Sequence, residues 1–489
     1  MKVPAILSID LGATEVKAGL VGLDGQLVAI ARAGYPLAVG HGPGWAEQDP
    51  GAWWSAVVSA VRALRPVEAA TGGVSEPVEI LAIGVDGHGP TLVAVDARGE
   101  ATRPAITFLD TRATREADDL AAATGLVGWA LGPLPAALWL ERHEPAVAAG
   151  TAWYLTTWEW LAFRLTGAAV APLAPAEIVP DATAAQAATG LRMDRRPPTG
   201  AMGEPVGTLT EAAADALGLR AGIPVAGGTN DAFASYLGAG LLKAGDAYDP
   251  GGSAGGFGVY WDAPVAVPGA FVGPAPLAGR YSVGAAMAAT GRALDWFRES
   301  VVGSGMTTER LLEEAAATPP GADGLIFLPY LAGERSPIWD PAATGAFVGL
   351  TLAHGRGFLA RAIMEASALA IRHVATPMLE AGIQVDAMRV CGGPARSEAW
   401  NQIKADVTGF PVLVPRVLET AVLGSGILGS VAIGCHADIE SSIRAMTAIS
   451  RRIEPRHESR ATYDATFEAY RALYPAIAPI LRPLSRVPV

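Results

Sequence analysis

Two aspartates, each next to a turn, are the side chains of this 489-residue chain best placed to do chemistry. Asp10 ends an apolar strand-like run before Leu11-Gly12-Ala13-Thr14, where its carboxylate can hold a hydrated magnesium ion and the Thr14 hydroxyl can face a phosphate. Asp231 opens a helical run, a position that suits a proton acceptor in phosphoryl transfer. The structural alternatives are an aspartate that stabilises a turn and a charge at a helix N-terminus.

Glycine-rich turns follow strand-like runs at residues 11–14, 250–255 and 392–395. Glycine lets the backbone approach closely, so consecutive N–H groups in such a turn can point at an anion. Together the turns suggest a polyphosphate, although any one alone is far more often an ordinary connection. None has the spacing of a P-loop or of a dinucleotide-binding fingerprint, so these two nucleotide folds are disfavoured.

The elements that position these residues alternate between strand and helix patterns. A strand-turn-strand unit opens the chain, and a similar unit restarts beyond Gly240, which leaves an internal repeat open. We predict strands at 5–10, 15–21, 27–33, 81–85, 91–96, 246–249, 256–261, 388–391 and 412–414, and helices at 50–64, 112–124, 152–165 and 397–408. The tail from Arg451 has the pattern of an amphipathic closing helix.

The chain is longer than one hydrophobic core usually organises, which predicts two domains. Glycines at 238, 240 and 245 punctuate the sequence, and we place the boundary there, with domains at 1–242 and 243–489.

Composition narrows the possible partners and location. The net charge of -12 and the lack of clustered cations argue against a nucleic-acid partner. Cys391 and Cys435 are too few for a disulfide framework or a four-cysteine zinc site, and we expect both to be reduced core residues. The apolar stretch Ala421 to Cys435 contains four glycines and is short for a membrane span, so a buried helix of small residues is expected. Without a signal-peptide pattern, we expect a cytoplasmic protein that has no membrane partner.

Several segments, taken together with their order along the chain, resemble those of the FGGY carbohydrate kinases. The resemblance covers nearly the whole chain. The segments are Ile9 to Thr14 with Lys17, Trp45 to Pro50 with Trp53-Trp54, Gly228-Thr229-Asn230-Asp231-Ala232, Gly324 to Leu331, Gly333-Glu334-Arg335-Ser336-Pro337, Gly345 to Leu350, Arg361-Ala362 with Glu365, and Gly392-Gly393 with Arg396-Ser397.

The resemblance implies an α/β protein of two actin-like, ribonuclease H-like lobes. Each lobe would have a mixed five-stranded sheet flanked by helices, with ATP, Mg²⁺ and sugar in the cleft between the lobes. By family position, Asp10 would hold the metal, Asp231 would be the catalytic base, and a homodimer is possible. The residues expected to face the nucleotide are Thr14, Gly252, Ser253 and Gly255 at the phosphates and Gly392, Gly393 and Ala395 at the adenosine.

The sugar site is expected between residues 86 and 112. Where similar xylulokinases have Ser-Gly-Gln-Met-His-Gly, this chain has Asp86-Gly87-His88-Gly89-Pro90-Thr91, so shape and hydrogen-bond donors differ. We expect Asp86, His88 and Asp110 to bind sugar hydroxyls and Phe108 to pack on the carbon skeleton. A loop histidine without a ligand and a helix N-cap are the alternatives for His88 and Asp110.

Two charged pairs elsewhere are expected to be structural. Glu334 and Arg335 suit a salt bridge better than catalysis, and Arg361 and Glu365 have the i,i+4 spacing of a helical pair.

The resulting hypothesis is ATP-dependent phosphorylation of a hydroxyl of a small sugar or polyol, with a ketopentose such as xylulose favoured. The same fold could serve ribulose, erythritol, glycerol or a sugar acid. A nucleotide-binding sensor without catalysis is the alternative of another class, and the retention of Asp10, Asp231 and all the glycine turns argues against it.

Overall fold

The structure is a computed structural model that describes residues 3–36, 42, 44–64, 78–175, 177, 179–252, 254–303 and 305–482. The chain divides into two compact units. The first comprises Met1–Gly240, Pro274–Ala278 and Glu419–Thr447, and the second comprises Leu241–Gly273, Gly279–Leu418 and Ala448–Val489.

The strands follow one another along the chain as β1 (Val3–Leu11), β2 (Glu15–Gly22), β3 (Leu27–Gly34), β4 (Glu47–Gln48), β5 (Val78–Gly87), β6 (Val93–Val95), β7 (Ala105–Ile106), β8 (Trp153–Leu155), β9 (Ala171–Leu173), β10 (Thr199–Ala201), β11 (Pro205–Thr208), β12 (Pro224–Ala226), β13 (Thr229–Asn230), β14 (Asp246–Asp249), β15 (Gly256–Trp261), β16 (Phe271–Pro274), β17 (Tyr281–Ala286), β18 (Ile326–Leu328), β19 (Ala346–Val348), β20 (Ala387–Val390), β21 (Val412–Pro415) and β22 (Ile449–Ile453).

The α-helices are α1 (Pro50–Ala63), α2 (Thr114–Thr124), α3 (Leu134–His143), α4 (Pro145–Gly150), α5 (Thr157–Thr166), α6 (Ala182–Thr189), α7 (Glu211–Leu217), α8 (Asp231–Ala239), α9 (Arg292–Trp296), α10 (Thr308–Ala316), α11 (Arg356–Glu380), α12 (Glu398–Thr408), α13 (Thr420–Ala432), α14 (Ile439–Met446) and α15 (Arg460–Leu481). A π-helical turn, Phe297–Val302, follows α9.

The first unit is built on a mixed sheet of order β11-β12-β5-β1-β2-β3, with β13 also paired to β5. β1 pairs antiparallel with β2 and parallel with β5. Residues 5–11 of β1 are all buried, as expected for a central strand covered on both faces, whereas β3 alternates between exposed and half-buried residues.

The second unit repeats this arrangement in the order β16-β17-β15-β14-β20-β21-β22. Its central strand β14 pairs antiparallel with β15 and parallel with β20, as β1 does with β2 and β5. The mixed α/β fold is confirmed, and the echo of the opening strand-turn-strand unit reflects a repeated sheet topology. The two sheets share a pattern of six strands, and β13 in the first and β16 in the second bring each to seven within the described residues, instead of the five expected.

The predicted boundary near residue 240 coincides with a change of unit, but Glu419–Thr447 packs with the first unit. Small residues explain this placement, because they let α13 approach its neighbours closely. A Cβ atom on Gly424 would lie 1.9 Å from the Ala234 carbonyl oxygen, and one on Gly84 would lie 1.9 Å from that of Ser425. The expected buried helix of small residues is therefore α13.

Several local predictions need correction. The helix predicted at 152–165 begins only at Thr157, because Thr156 and Glu159 form a capping box, and β8 precedes it. The tail contains β22 before α15. Cys391 is buried as expected, but Cys435 is exposed, since it lies beyond the end of α13. Within the described ranges, every helix is too short or too polar to cross a membrane.

Candidate active site

Asp10 lies in the centre of the first sheet, near the end of β1. Its register partners are Lys17 on β2 and Asp86 on β5, and Thr229 pairs with Asp86 from β13. Because neighbouring strands are only about 4.8 Å apart, these side chains are brought together by the strand register. Asp10 is almost fully buried.

Lys17 partly neutralises this acidic cluster. Its Nζ donates to Asp10 Oδ2 at 3.1 Å and lies 3.8 Å from Glu419 Oε2. The charge of Asp10 raises the pKa of Lys17, so the ammonium stays protonated. Arg32 joins Glu419 to the same network at 2.6 Å.

Asp86 is fully buried beside Asp10. Burial, reinforced by the charge of Asp10, raises its pKa well above the ordinary value. Ser425 Oγ donates to Asp86 Oδ2 at 2.5 Å, while Oδ1 has no partner among the described residues. This environment favours a neutral carboxyl group that neighbours Asp10.

Asp231 occupies the first position of α8, and Asn230 caps this helix through a hydrogen bond from Phe233 N–H. The carboxylate is half-buried and accepts the N–H of Ala232 at 2.8 Å. Burial, followed by the negative charge of Asp10, raises the pKa of Asp231 to about 7. A carboxylate with this pKa can accept a proton at neutral pH.

His88 is buried directly after β5. Its Nδ1 lies 3.1 Å from Thr91 Oγ1, and burial lowers its pKa to about 4, which keeps the ring neutral. Its Nε2 has no hydrogen-bond partner in the described part of the chain. The ring lies 5.8 Å from that of Phe108, which is 38% exposed and can meet a ligand.

Trp158 accounts for the glycine at position 89, where the corresponding segment of similar xylulokinases has methionine. A Cβ atom on Gly89 would lie 2.9 Å from this indole ring, so the tryptophan fills the space that a side chain at position 89 would need. The buried Trp158 Nε1 has no hydrogen-bond partner among the residues described. Trp158 was not predicted from the sequence, because only the fold places it beside residue 89.

Asp110 is committed to protein contacts. Its two carboxylate oxygens accept Arg112 Nε at 2.9 Å each, and Oδ2 also accepts Ala46 N–H at 2.6 Å. The Arg112 guanidinium lies 3.6 Å from the Trp45 ring centroid and 4.9 Å from that of Trp139. The Asp110 side chain is only 1% exposed, so the contacts favour a role in positioning the residue 45–47 segment. Asp110 does not cap α2, whose N-cap is Ala113.

The turn after β1 presents Thr14 at the surface. Tyr35 steadies the turn, because its hydroxyl donates to Gly12 O and its N–H donates to Thr14 O at 3.1 Å. Thr14 is therefore available to a ligand.

The second unit contains a cavity of about 730 Å³ next to both of its glycine turns. Gly251 and Gly252 line one part, and Gly393 and Pro394 line another. Helices α9, α10 and α12 add apolar and acidic side chains, namely Leu294, Leu312, Ala316, Ala399, Asp295, Glu309 and Glu313, and Arg396 lies just before α12. A nucleotide needs this combination of apolar wall and backbone donors.

A buried ion pair supports the first of these turns. Asp249 ends β14, and its Oδ1 accepts Gly251 N–H at 2.9 Å while its Oδ2 pairs with Lys404 Nζ at 2.5 Å. Lys404 could not be recognised from the sequence, because it lies 155 residues from Asp249 along the chain.

The remaining predicted nucleotide contacts fall in different places. Gly255 and Gly392 have positive φ angles, a conformation that glycine adopts readily, and neither residue lines the cavity. Ala395 is buried, and its carbonyl accepts Asn401 Nδ2 at 2.8 Å. Ser253 lies outside the described residues.

The residues fit a magnesium ion that arrives with ATP better than a metal held by protein alone. The described residues include no cluster of three or more His, Cys, Asp or Glu side chains placed to hold a metal ion. Magnesium commonly binds through one or two carboxylates plus substrate phosphates. Asp10 provides such a carboxylate, whereas its neighbour Asp86 is fully buried and favoured in the neutral form.

Two mixed sheets of the same topology, one with a half-buried carboxylate at a helix start and one beside a cavity large enough for a nucleotide, fit a phosphotransferase of the actin-like class. Family models for the N-terminal and C-terminal domains of the FGGY carbohydrate kinases match residues 5–238 and 252–433. The chain belongs to the FGGY family of carbohydrate kinases, and it is an enzyme that phosphorylates an alcohol group.

Individual relatives match over most of their length. The xylulose kinase of Escherichia coli is 31% identical over 82% of this chain and 84% of its own. A glycerol kinase of Citrifermentans bemidjiense is 30% identical over 93% and 94%. The crystal structure of a xylulose kinase from Rhodospirillum rubrum superposes with a TM-score of 0.78, at 31% identity, over 98% of this chain and 99% of that chain. The predicted family, fold class and enzyme class are confirmed.

Proposed function

We propose that this enzyme transfers the γ-phosphoryl group of ATP to a hydroxyl of a ketopentose, with xylulose as the favoured acceptor. The observation that carries the proposal is Asp231, a half-buried carboxylate with a pKa of about 7 at the start of α8. The similarity to xylulose kinases supports the choice of acceptor.

On the acceptor side, Asp231 accepts the proton of the attacking hydroxyl. His88 Nε2 and Trp158 Nε1 are buried polar atoms without partners in the described residues, and a polyhydroxylated ligand would satisfy both. The exposed part of Phe108 offers an apolar surface to the carbon skeleton. Asp110 positions this region through Arg112 and Ala46 instead of contacting the sugar.

On the donor side, the cavity of the second unit holds the nucleotide. We assign the phosphates to the turn that contains Gly251 and Gly252, whose backbone is held by Asp249. We assign the adenosine to Gly393 and the apolar side chains of Leu294, Leu312 and Ala399. For Thr14, which is exposed on the turn after β1, we keep the expected role of a phosphate contact.

Bound magnesium would neutralise charge on the phosphoryl oxygens during transfer, and Asp10 is the residue that would anchor it. Lys17 holds one oxygen of Asp10 in place at 3.1 Å. The neutral neighbour Asp86 limits repulsion within the cluster.

A second acceptor deserves the same test, because a glycerol kinase is nearly as similar as the xylulose kinases. The departures at residues 86–91 leave ribulose, erythritol, glycerol and sugar acids as alternatives. The cytoplasmic location, the homodimer and the absence of nucleic-acid and membrane partners stay predictions.

The experiment is ADP release from magnesium-ATP against a panel of ketopentoses, pentitols, tetritols, glycerol and sugar acids. We expect xylulose to raise turnover well above the sugar-free rate. Faster turnover with glycerol than with any ketopentose would assign the alternative acceptor. ATP binding without stimulation by any compound would favour the sensor.

A further inference from the structure

Glu334 is a buried carboxylate in the loop between β18 and β19, and it forms no salt bridge with Arg335 in the described structure. It is 5% exposed. Its Oε1 accepts the backbone N–H of Ala288 at 2.9 Å and that of Arg335 at 2.7 Å. The salt bridge expected from the sequence is therefore replaced by contacts to backbone donors.

The same loop holds the segment 286–288 at further points. An Arg335 guanidinium N–H donates to Met287 O, and Ser336 N–H donates to Ala286 O at 3.1 Å. On its other side, the loop is fixed by the backbone pair between Glu334 and Asp340. Residues 334–336 thus form a clasp around this segment.

The clasped segment and Thr290, which follows it, are hydrogen-bonded to Ala254 and Gly255 of the second glycine turn. Met287 N–H donates to Gly255 O at 3.3 Å, and Thr290 donates to Ala254 O from both N–H, at 3.1 Å, and Oγ1, at 3.0 Å. The fit is close, since a Cβ atom on Gly255 would lie 1.9 Å from Thr290 Oγ1. Movement of residues 287–290 would therefore move the turn.

We propose that Glu334 is a positioning residue for nucleotide binding, which fixes Ala254 and Gly255 of the glycine turn through Ala288 and Thr290. The inference rests on the proposed function insofar as that turn binds the phosphates of ATP. A carboxylate that accepts two backbone N–H groups holds such a segment more firmly than a neutral acceptor does.

Because Glu334 can titrate, its positioning role predicts a pH dependence of nucleotide affinity that packing alone would not produce. Burial raises its pKa to about 7, and the titratable or charged groups that interact with it are Arg335, Tyr330 and Tyr470. As pH falls through 7, the carboxylate gains a proton and becomes a weaker acceptor. Nucleotide affinity should therefore fall between pH 8 and pH 6.

The experiment measures the dissociation constant of magnesium-ADP by titration calorimetry, without any acceptor, for the wild type, Glu334→Ala and Glu334→Gln. We expect Glu334→Ala to weaken binding about tenfold at pH 8, since two charge-assisted hydrogen bonds are lost. Glu334→Gln keeps the shape and should bind with a smaller loss. Its affinity should change less with pH than that of the wild type, because glutamine does not titrate. Titration of the nucleotide is common to both proteins and does not contribute to the difference.

The matched control is Glu365→Gln, which alters another buried carboxylate of the same unit that contacts Arg361, Tyr463 and Gly321 N–H. It should leave ADP affinity unchanged. If circular dichroism shows that Glu334→Ala does not fold, Glu334→Gln and Thr290→Val decide. Thr290→Val removes one hydrogen bond to Ala254 and should weaken ADP binding about threefold.

Wild-type affinity in the folded Glu334 variants, or an equal loss in Glu365→Gln, would overturn the inference. An unchanged pH dependence in Glu334→Gln would also overturn it. Because no acceptor is present, these results are separate from the acceptor panel, whose failure would count against the proposed function alone.

Discussion

At the residue scale, Asp86 and Asp231 show how one unit gives two carboxylates different tasks. Burial raises the pKa of both. Asp86 is fully buried and accepts a hydrogen bond from Ser425, whereas Asp231 is half-buried and can contact a substrate hydroxyl. We therefore assign proton transfer to Asp231 and infer that Asp86 acts through its neighbour Asp10.

The pKa of Asp231 predicts the pH dependence of turnover. A base must be ionised to accept a proton, so kcat should be maximal above pH 7 and fall toward tenfold per pH unit below it. The measurement is kcat at saturating ATP and sugar between pH 5.5 and 9. A kcat that stays constant down to pH 5.5 would contradict a base with this pKa.

The contacts of Asp110 predict a loss of stability. Asp110→Asn leaves the buried Arg112 guanidinium with Glu47 as its remaining carboxylate partner, and should destabilise the fold by about 3 kcal/mol. Urea denaturation of this variant measures the change, with Asp96→Asn, on the neighbouring turn, as a comparison. Full stability together with a large rise in the KM for sugar would instead support the sugar contact.

Sequence alone could single out Asp10 and Asp231 as candidates, because each lies where a strand ends or a helix begins. It could not identify their supporting residues. Ser425 is 339 residues from Asp86, and Lys404 is 155 residues from Asp249, so only the folded chain joins them. Trp158 likewise becomes visible only through its contact with position 89.

At the element scale, α13 carries several of these distant contacts. It places Ser425 on Asp86 and packs on α8, the helix that begins with Asp231. Glu419, just before α13, reaches Lys17 and Arg32. The position of α8 therefore depends on an element from the second half of the sequence.

The close approach of these helices predicts the effect of one methyl group. Gly424→Ala would place a Cβ atom 1.9 Å from Ala234 O, forcing α8 and α13 apart. We expect a loss of about 1–3 kcal/mol in stability and a lower kcat. Gly150→Ala, with no atom within 4 Å of its new Cβ, is the control. Equal stability and activity of the two variants would show that this packing does not position the base.

Most strands could be predicted because apolar runs bounded by turn residues mark them clearly. β14 and β15 have the predicted bounds, and the other main strands agree within a few residues. β8 was missed because its apolar residues also fit the helical period of α5. The unit to which α13 belongs could not be predicted, since sequence order does not determine which sheet a helix covers.

At the scale of the whole molecule, the two sheets share a topology but not a chemistry. The central strands carry aspartates at comparable positions, Asp10 as the last but one residue of β1 and Asp249 as the last residue of β14. Asp249 is neutralised by the buried Lys404, which fixes a turn beside the nucleotide cavity. Asp10 instead lies beside Asp86, its register partner on β5, and pairs with a partly exposed Lys17. Under the proposed function, the repeat separates donor binding from acceptor activation.

The central claim is that Asp231 activates a sugar hydroxyl for attack on ATP. The most direct measurement follows transfer of labelled γ-phosphate from ATP to xylulose by the wild type, Asp231→Asn and the exposed control Asp215→Asn, with ADP affinity measured alongside. We predict labelled sugar phosphate with the wild type and control, and a rate lower by at least about 10²-fold with Asp231→Asn at unchanged ADP affinity. Transfer by Asp231→Asn at the wild-type rate would contradict the account.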